Sequence, residues 1–184
     1  MIISIISRKG GSGKSLTALH IAGWLYAQGR PVAVVDLDPE GTALAWSRAS
    51  PDLPFRIYPG RQLQEVAAQN LDVVIDTPPN DPSTLGLAAR AADKVIVVSG
   101  ANPLELDRLG PTLDALKASG HSAEWGILLT NVPRGNLGPA MKEVLEAVGL
   151  RVLGLIPSRV EYQRSFGAAP VRLAEYGAAL EGWL

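Results

Sequence analysis

The run Lys9-Gly10-Gly11-Ser12-Gly13-Lys14-Ser15 constrains this chain more than any other segment. It follows an apolar stretch, Ile2-Ile3-Ser4-Ile5-Ile6, and precedes a helical pattern that begins near Leu16. Strand, glycine-rich loop, Gly-Lys-Ser and helix in that order predict a phosphate-binding loop. Backbone N–H groups can curl around a phosphate only where no Cβ stands in the way, which Gly10, Gly11 and Gly13 allow. The following helix adds its positive N-terminal end, Lys14 is expected to reach the β- and γ-phosphates, and Ser15 to ligate Mg²⁺. Short Gly/Ser/Lys loops also occur by chance, but seldom between a strand and a helix. The chain is expected to bind a nucleotide.

The rest of the chain reads as one α/β domain over residues 1–184. Short β-branched runs alternate with longer helical patterns, the signature of a parallel sheet with helical crossovers. The expected strands are Ile2–Ser7, Val32–Asp36, Phe55–Tyr58, Val73–Asp76, Lys94–Ser99, Gly126–Thr130 and Val152–Ile156. Runs such as Val95-Ile96-Val97-Val98 are apolar at consecutive positions, as expected where helices cover both faces of the sheet. Helices are expected near 15–28, 42–48, 61–69, 82–91, 105–118, 137–147 and 172–183, with Gly29 and Gly120 as C-terminal caps. The predicted fold is a three-layer P-loop NTPase with a mostly parallel sheet of about seven strands. In such sheets ligands bind beyond the carboxyl ends of the strands.

Composition narrows the chemistry. With 184 residues, 47% hydrophobic and 19% charged, the chain can build a real core. The absence of cysteine fits a reducing cytoplasm and removes disulfides, thiolate metal sites and iron–sulfur clusters. Net charge is −1, so any nucleic-acid binding must come from a local patch. Between Arg134 and Arg172, six basic residues stand against three glutamates, which an ordinary solvated surface would also produce. No segment reaches the roughly 18–20 apolar residues of a membrane span. The charges of Arg8 and Lys9 follow the first apolar run, unlike those of a signal peptide. A cytoplasmic location is expected.

Acids sit where ligand chemistry needs them. Val32-Ala33-Val34-Val35 ends in Asp36-Leu37-Asp38-Pro39-Glu40-Gly41, and Asp72-Val73-Val74-Ile75 ends in Asp76-Thr77-Pro78-Pro79. A carboxylate at a buried strand end is costly unless it meets a cation or hydrogen-bond donors. The alternative for Asp36 and Asp38 is helix capping. Pro78 and Pro79 bias Thr77 toward an extended backbone beside the γ-phosphate.

Taken together, Lys-Gly-Gly-x-Gly-Lys-Ser, Asp36-x-Asp38-Pro39 and Asp76-Thr77-Pro78-Pro79 resemble the deviant Walker A ATPases of the ParA/MinD family. The match runs from Met1 to about Arg172, with motifs in family order, and is similar to the small ParA-type partition ATPases. The resemblance implies that Lys9 reaches across a dimer interface to the partner's nucleotide, rather than serving as a surface charge. It implies that Asp38 lies near the metal and the attacking water, and that Asp76 holds Mg²⁺, joined by Ser15. It also implies that Asn131 meets the adenine edge and Pro157 lines the base pocket, although both residues are common in turns. Leu16 departs from the pattern, because the family usually places a hydroxyl residue there for the α-phosphate, and Thr17 comes one residue too late. No helix-turn-helix is expected ahead of Met1.

The tail places Leu173, Tyr176, Leu180 and Trp183 or Leu184 at helical spacing beside Glu175 and Glu181. Anionic lipid would repel those acids, so core packing is expected and MinD-like membrane cycling is not. The leading expectation is an ATP hydrolase with ATP and Mg²⁺ as cofactors, acting as an ATP-dependent homodimer. That dimer would bind DNA non-specifically, associate with the nucleoid, and position a plasmid, chromosome or protein assembly under a ParB-like or cargo-adaptor activator. Arg159 and Arg164 are the expected DNA contacts, with Arg134, Arg151 and Arg172 as neighbours. The alternatives are a metabolic P-loop ligase or kinase, a MinD-like positioning ATPase, and a nucleotide-gated adaptor with negligible hydrolysis.

Overall fold

The computed structural model describes residues 1–184, residue 108 by its backbone alone. Seven strands form one sheet: β1 (Ile2–Ile6), β2 (Val32–Asp36), β3 (Arg56–Pro59), β4 (Asp72–Asp76), β5 (Lys94–Gly100), β6 (Glu124–Val132) and β7 (Val152–Pro157). Their order is β3-β2-β4-β1-β5-β6-β7, and every neighbouring pair is parallel, so the sheet is wholly rather than mostly parallel. Strands β2, β3 and β4 lie on one side of β1, with β4 inserted between β1 and β2, and β5, β6 and β7 follow on the other side. The crevice where the order reverses therefore opens at the carboxyl end of β1, where the glycine loop sits.

Helices cover both faces. Those helices are α1 (Lys14–Ala27), α2 (Thr42–Ala49), α3 (Leu63–Ala67), α4 (Pro82–Ala91), α5 (Pro103–Ala118), α6 (Leu137–Ala147), α7 (Val160–Gln163) and α8 (Leu173–Leu180). Alternation along the strands divides the core. Val34 and Val74 face the layer of α1, α2 and α8, where Leu19, Trp46 and Tyr176 are buried. Val95, Val97 and Leu129 face α4, α5 and α6, while Val35 and Ile75 face Leu63 and Val66 of α3. The tail stripe packs inward as expected, with Tyr176 and Leu180 fully buried.

Several boundaries differ from the sequence-based expectation. The helix expected near 61–69 is split into a tight turn, Gly60–Gln62, and the short α3. Helix α5 begins at Pro103, because the Asn102 side chain accepts from the Glu105 N–H at 3.1 Å and caps it. The sequence pattern predicts no element between β7 and residue 172. That segment instead forms α7, fastened by a buried Tyr162. No helix among the described residues is long and apolar enough to cross a membrane.

Candidate nucleotide-binding site

The loop leaves β1 and closes onto α1 through Gly13, whose φ of 87° suits glycine and caps the helix without a side-chain bond. Gly11 is left-handed as well, at φ 73°. Three contacts brace the loop from within and behind. The Ser12 hydroxyl donates to the Lys9 carbonyl at 3.2 Å, Lys14 Nζ donates to the same carbonyl at 3.2 Å, and Thr130 on β6 donates to the Ser12 carbonyl at 3.0 Å. Gly10, Lys14, Ser15 and Asp38 border one cavity of about 380 Å³. Lys14 is 6% exposed, and burial pulls its ammonium below the usual lysine range, against the opposing pull of Asp76, Asp38 and Glu40.

The three acids at the strand ends have different surroundings. Asp36 and Asp76 are register partners on adjacent strands. Asp36 accepts from the N–H groups of Asp38 and Leu44, both at 3.0 Å, so it shapes the β2–α2 connection. Burial raises its pKa. Asp38 lines the cavity and accepts from the Glu40 N–H at 3.0 Å. Asp76 is fully buried, and neither carboxylate oxygen has a hydrogen-bond partner of good geometry. Burial pushes its pKa up to about 7, with the nearby Ser15 hydroxyl and Lys14 offsetting this in part. A buried carboxylate left short of donors fits a site built to receive a cation. Ser15 stands beside it.

Three further residues near the loop take defined positions. The Thr77 hydroxyl donates to the Ile5 carbonyl at 2.8 Å, so its side chain is turned into the sheet rather than toward a phosphate. Thr17 is buried with its hydroxyl 3.5 Å from the Tyr176 hydroxyl, leaving Leu16 alone at the cavity wall. Lys9 does not border the phosphate cavity; its ammonium is ion-paired to Glu105 on α5 of the same chain.

A second cavity of about 240 Å³ adjoins the loop and is bordered by Leu16, Asn131, Pro157, Arg159 and Tyr162. Asn131 takes a left-handed backbone, φ 52°, at the mouth of this cavity. Arg159 is paired with Glu175 at 2.8 Å, and Arg151 and Arg172 pair with Glu124 and Glu161. Arg134 and Arg164 are exposed and make no side-chain hydrogen bond or ion pair with another described residue. Sequence reasoning missed Glu105, Thr130, Tyr162 and Glu175. Only Glu105 carried a local signal, the Asn102-Pro103-x-Glu105 helix start.

Residues 3–168 match the CobQ/CobB/MinD/ParA nucleotide binding domain family. The maintenance of carboxysome distribution protein A of Gloeobacter kilaueensis is 35% identical over 150 residues, covering 77% of this chain and 68% of that protein. A putative plasmid partition protein from Borrelia burgdorferi bound to AMPPNP superposes with a TM-score of 0.79 at 18% identity, covering 98% of this chain and 96% of that one. The cobyrinic acid a,c-diamide synthase of Mycobacterium smegmatis, with bound ADP and magnesium, superposes at 0.70 with 20% identity, covering 90% of each chain. With its loop, its strand-end acids and this match over most of its length, the chain belongs to the CobQ/CobB/MinD/ParA nucleotide-binding domain family.

Proposed function

We propose that this protein is a ParA-type positioning ATPase that binds ATP and Mg²⁺ and hydrolyses ATP as a face-to-face dimer. The observation that carries this reading is the division of labour between two lysines of one loop. Lys14 is buried in the phosphate cavity, whereas Lys9 stands outside it. A second loop lysine that its own cradle does not use suits a phosphate held by another subunit. The carboxysome-distribution relative supports the positioning role over a biosynthetic one.

The chemistry asked of the chain is mostly positioning and charge stabilisation. Backbone N–H groups of Gly10–Gly13 and the Lys14 ammonium hold the phosphates, and Asn131 and Pro157 border the base. Mg²⁺, when bound through Ser15 and Asp76 with Asp38 nearby, neutralises charge on the phosphates. Two protein oxygens and an adjacent acid suit an ion that keeps several waters and takes further ligands from phosphate. Asp38, which borders the same cavity, would orient the attacking water. Lys9 from the partner would stabilise charge that develops on the transferred group.

The ATP dimer is proposed to bind DNA non-specifically and to be released when a ParB-like or cargo-adaptor protein stimulates hydrolysis, in the cytoplasm and on the nucleoid. Arg164 and Arg134, which pair with no other described residue, are the stronger phosphate contacts. Arg159 contributes less while Glu175 holds it. The test is sizing of the protein with ATP, with ADP and with neither, together with DNA binding at low and physiological salt. A dimer with ATP alone, binding DNA with a steep salt dependence, is expected. A monomer whose turnover requires a small carboxylate substrate would replace this reading with a metabolic ligase.

A further inference from the structure

Beside the phosphate cradle, the 240 Å³ cavity has a wall formed by two side chains of the β7–α7 segment, Arg159 and Tyr162. Neither is held by its own segment. Both are held by Glu175, on the first turn of α8. Glu175 Oε1 accepts from Arg159 Nε at 3.1 Å and is ion-paired with Nη2 at 2.8 Å, its Oε2 accepts from the Tyr162 hydroxyl at 2.6 Å, and Arg172 Nη1 approaches Oε1 at 3.8 Å. Glu175 does not itself border the cavity.

We propose that Glu175 is a positioning residue for the nucleoside end of the site, clamping Arg159 and Tyr162 so that Arg159 donates to the base or ribose. This rests on the reading that the loop binds a nucleoside triphosphate, and it adds a specificity element that the loop lacks. Three features carry it. First, Glu175 engages Nε and Nη2 of the guanidinium, and Nη1 makes no hydrogen bond or ion pair with another described residue. Its two protons remain for an acceptor in the cavity, such as a ring nitrogen or a ribose oxygen. A guanidinium already fixed in one plane loses little freedom on binding.

Second, Tyr162 is locked on both sides. Its hydroxyl is spent on Glu175, and its ring meets His20 edge-on at 5.1 Å, while His20 stacks on Tyr176 at 5.1 Å. The ring therefore presents a fixed apolar surface to the cavity. Third, the clamp is anchored in the core. Helix α8 packs on α1 and β7, and Tyr176, next to Glu175, is fully buried. An isolated surface ion pair contributes little. A carboxylate that takes hydrogen bonds from both Arg159 and Tyr162, two residues bordering one cavity, organises that cavity instead.

The test compares ATP with inorganic tripolyphosphate, each with Mg²⁺, in titrations of wild-type protein and of the Glu175→Ala, Glu175→Gln and Arg159→Ala variants. Glu175→Ala is expected to weaken ATP binding about tenfold and tripolyphosphate binding less than about twofold. Glu175→Gln, whose amide oxygen still accepts, should lose only about threefold. Adding Glu175→Ala to Arg159→Ala should cost much less than Glu175→Ala alone, because the two act through one contact. Unchanged ATP affinity in Glu175→Ala, or an equal loss for both ligands, overturns the proposal. If Glu175→Ala fails to fold, Arg159→Ala must still show the ATP-selective loss, and an equal loss there overturns it too. Wild-type protein that binds neither ligand would remove the nucleotide reading itself, an outcome distinct from a failure confined to Glu175.

Discussion

Lys9 of the phosphate loop is ion-paired with Glu105, on the first turn of α5, within the same chain. Glu105 is 9% exposed and its N–H is capped by Asn102, so the acid is a fixed partner and the lysine the mobile one. A lysine that must reach a neighbouring subunit first has to leave this acid. The pair then acts as a restraint on dimerisation, and its release is part of the cost of forming the dimer.

Glu105→Gln keeps the size of the side chain and removes the charge that holds Lys9. ATP-dependent dimerisation should then occur at lower protein concentration, by about thirtyfold, given two partly buried pairs released per dimer at about 1 kcal/mol each. Lys9→Ala should bind ATP and remain monomeric. Sedimentation of both variants with ATP checks this. A Glu105→Gln protein that no longer dimerises would show that the acid belongs to the dimer contact instead of restraining it.

Lys14→Ala should abolish ATP binding in any practical range, a loss of at least about a hundredfold. Among the residues bordering the phosphate cavity, Lys14 is the cation, and Asp38 and Glu40 are anions. Without the ammonium the cradle would repel a triphosphate. Equilibrium titration with a fluorescent ATP analogue checks this, and retention of wild-type affinity would displace the nucleotide from the loop.

Much of this site was legible in the sequence because each part is local. Strand-glycines-helix sets the loop, and an acid at the end of an apolar strand falls at the same sheet edge whatever lies between. Asp76 and Asp38 could thus be placed from short windows. Glu175 could not, since its meeting with Arg159 depends on how α8 folds back over α1. The Lys9–Glu105 pair is separated by 96 residues and joins only because β5 lies beside β1. Gly100 shows the same limit. Its glycine is required because a Cβ there would stand 2.9 Å from Glu105 Cγ, a contact that no local pattern encodes. The short α7 was missed because four residues give no period to read, and its stability comes from buried Tyr162.

Asp38→Ala should act in the opposite sense to Lys14→Ala. Asp38 borders the phosphate cavity, and among the described residues its carboxylate accepts only from the Glu40 N–H, so truncating the side chain leaves its backbone bonds, the loop and the core intact. ATP binding should persist, with turnover reduced by about a hundredfold or more as the attacking water loses its orienting acid. The ATP dimer should accumulate. Phosphate release and sedimentation on the same sample check both halves, and unchanged turnover would leave Asp38 as a turn residue alone.

His20 makes stability depend on pH. It is fully buried, one ring nitrogen lies 2.8 Å from the Leu16 carbonyl, and the other has no hydrogen-bond partner among the described residues. Burial lowers its pKa from 6.5 to about 4. The unfolded chain therefore binds a proton between pH 6.5 and 4 that the folded chain refuses. Stability from this group is complete above about pH 6.5 and is lost as pH falls toward 4, with a full cost of about 3 kcal/mol. His20→Phe keeps a ring between Tyr162 and Tyr176 and cannot be protonated. Between pH 7 and pH 4 the wild-type protein should lose about 3 kcal/mol more unfolding free energy than the variant, as read from urea melts at each pH. Parallel pH profiles for the two proteins would mean that His20 takes up its proton in the folded state as readily as in the unfolded one.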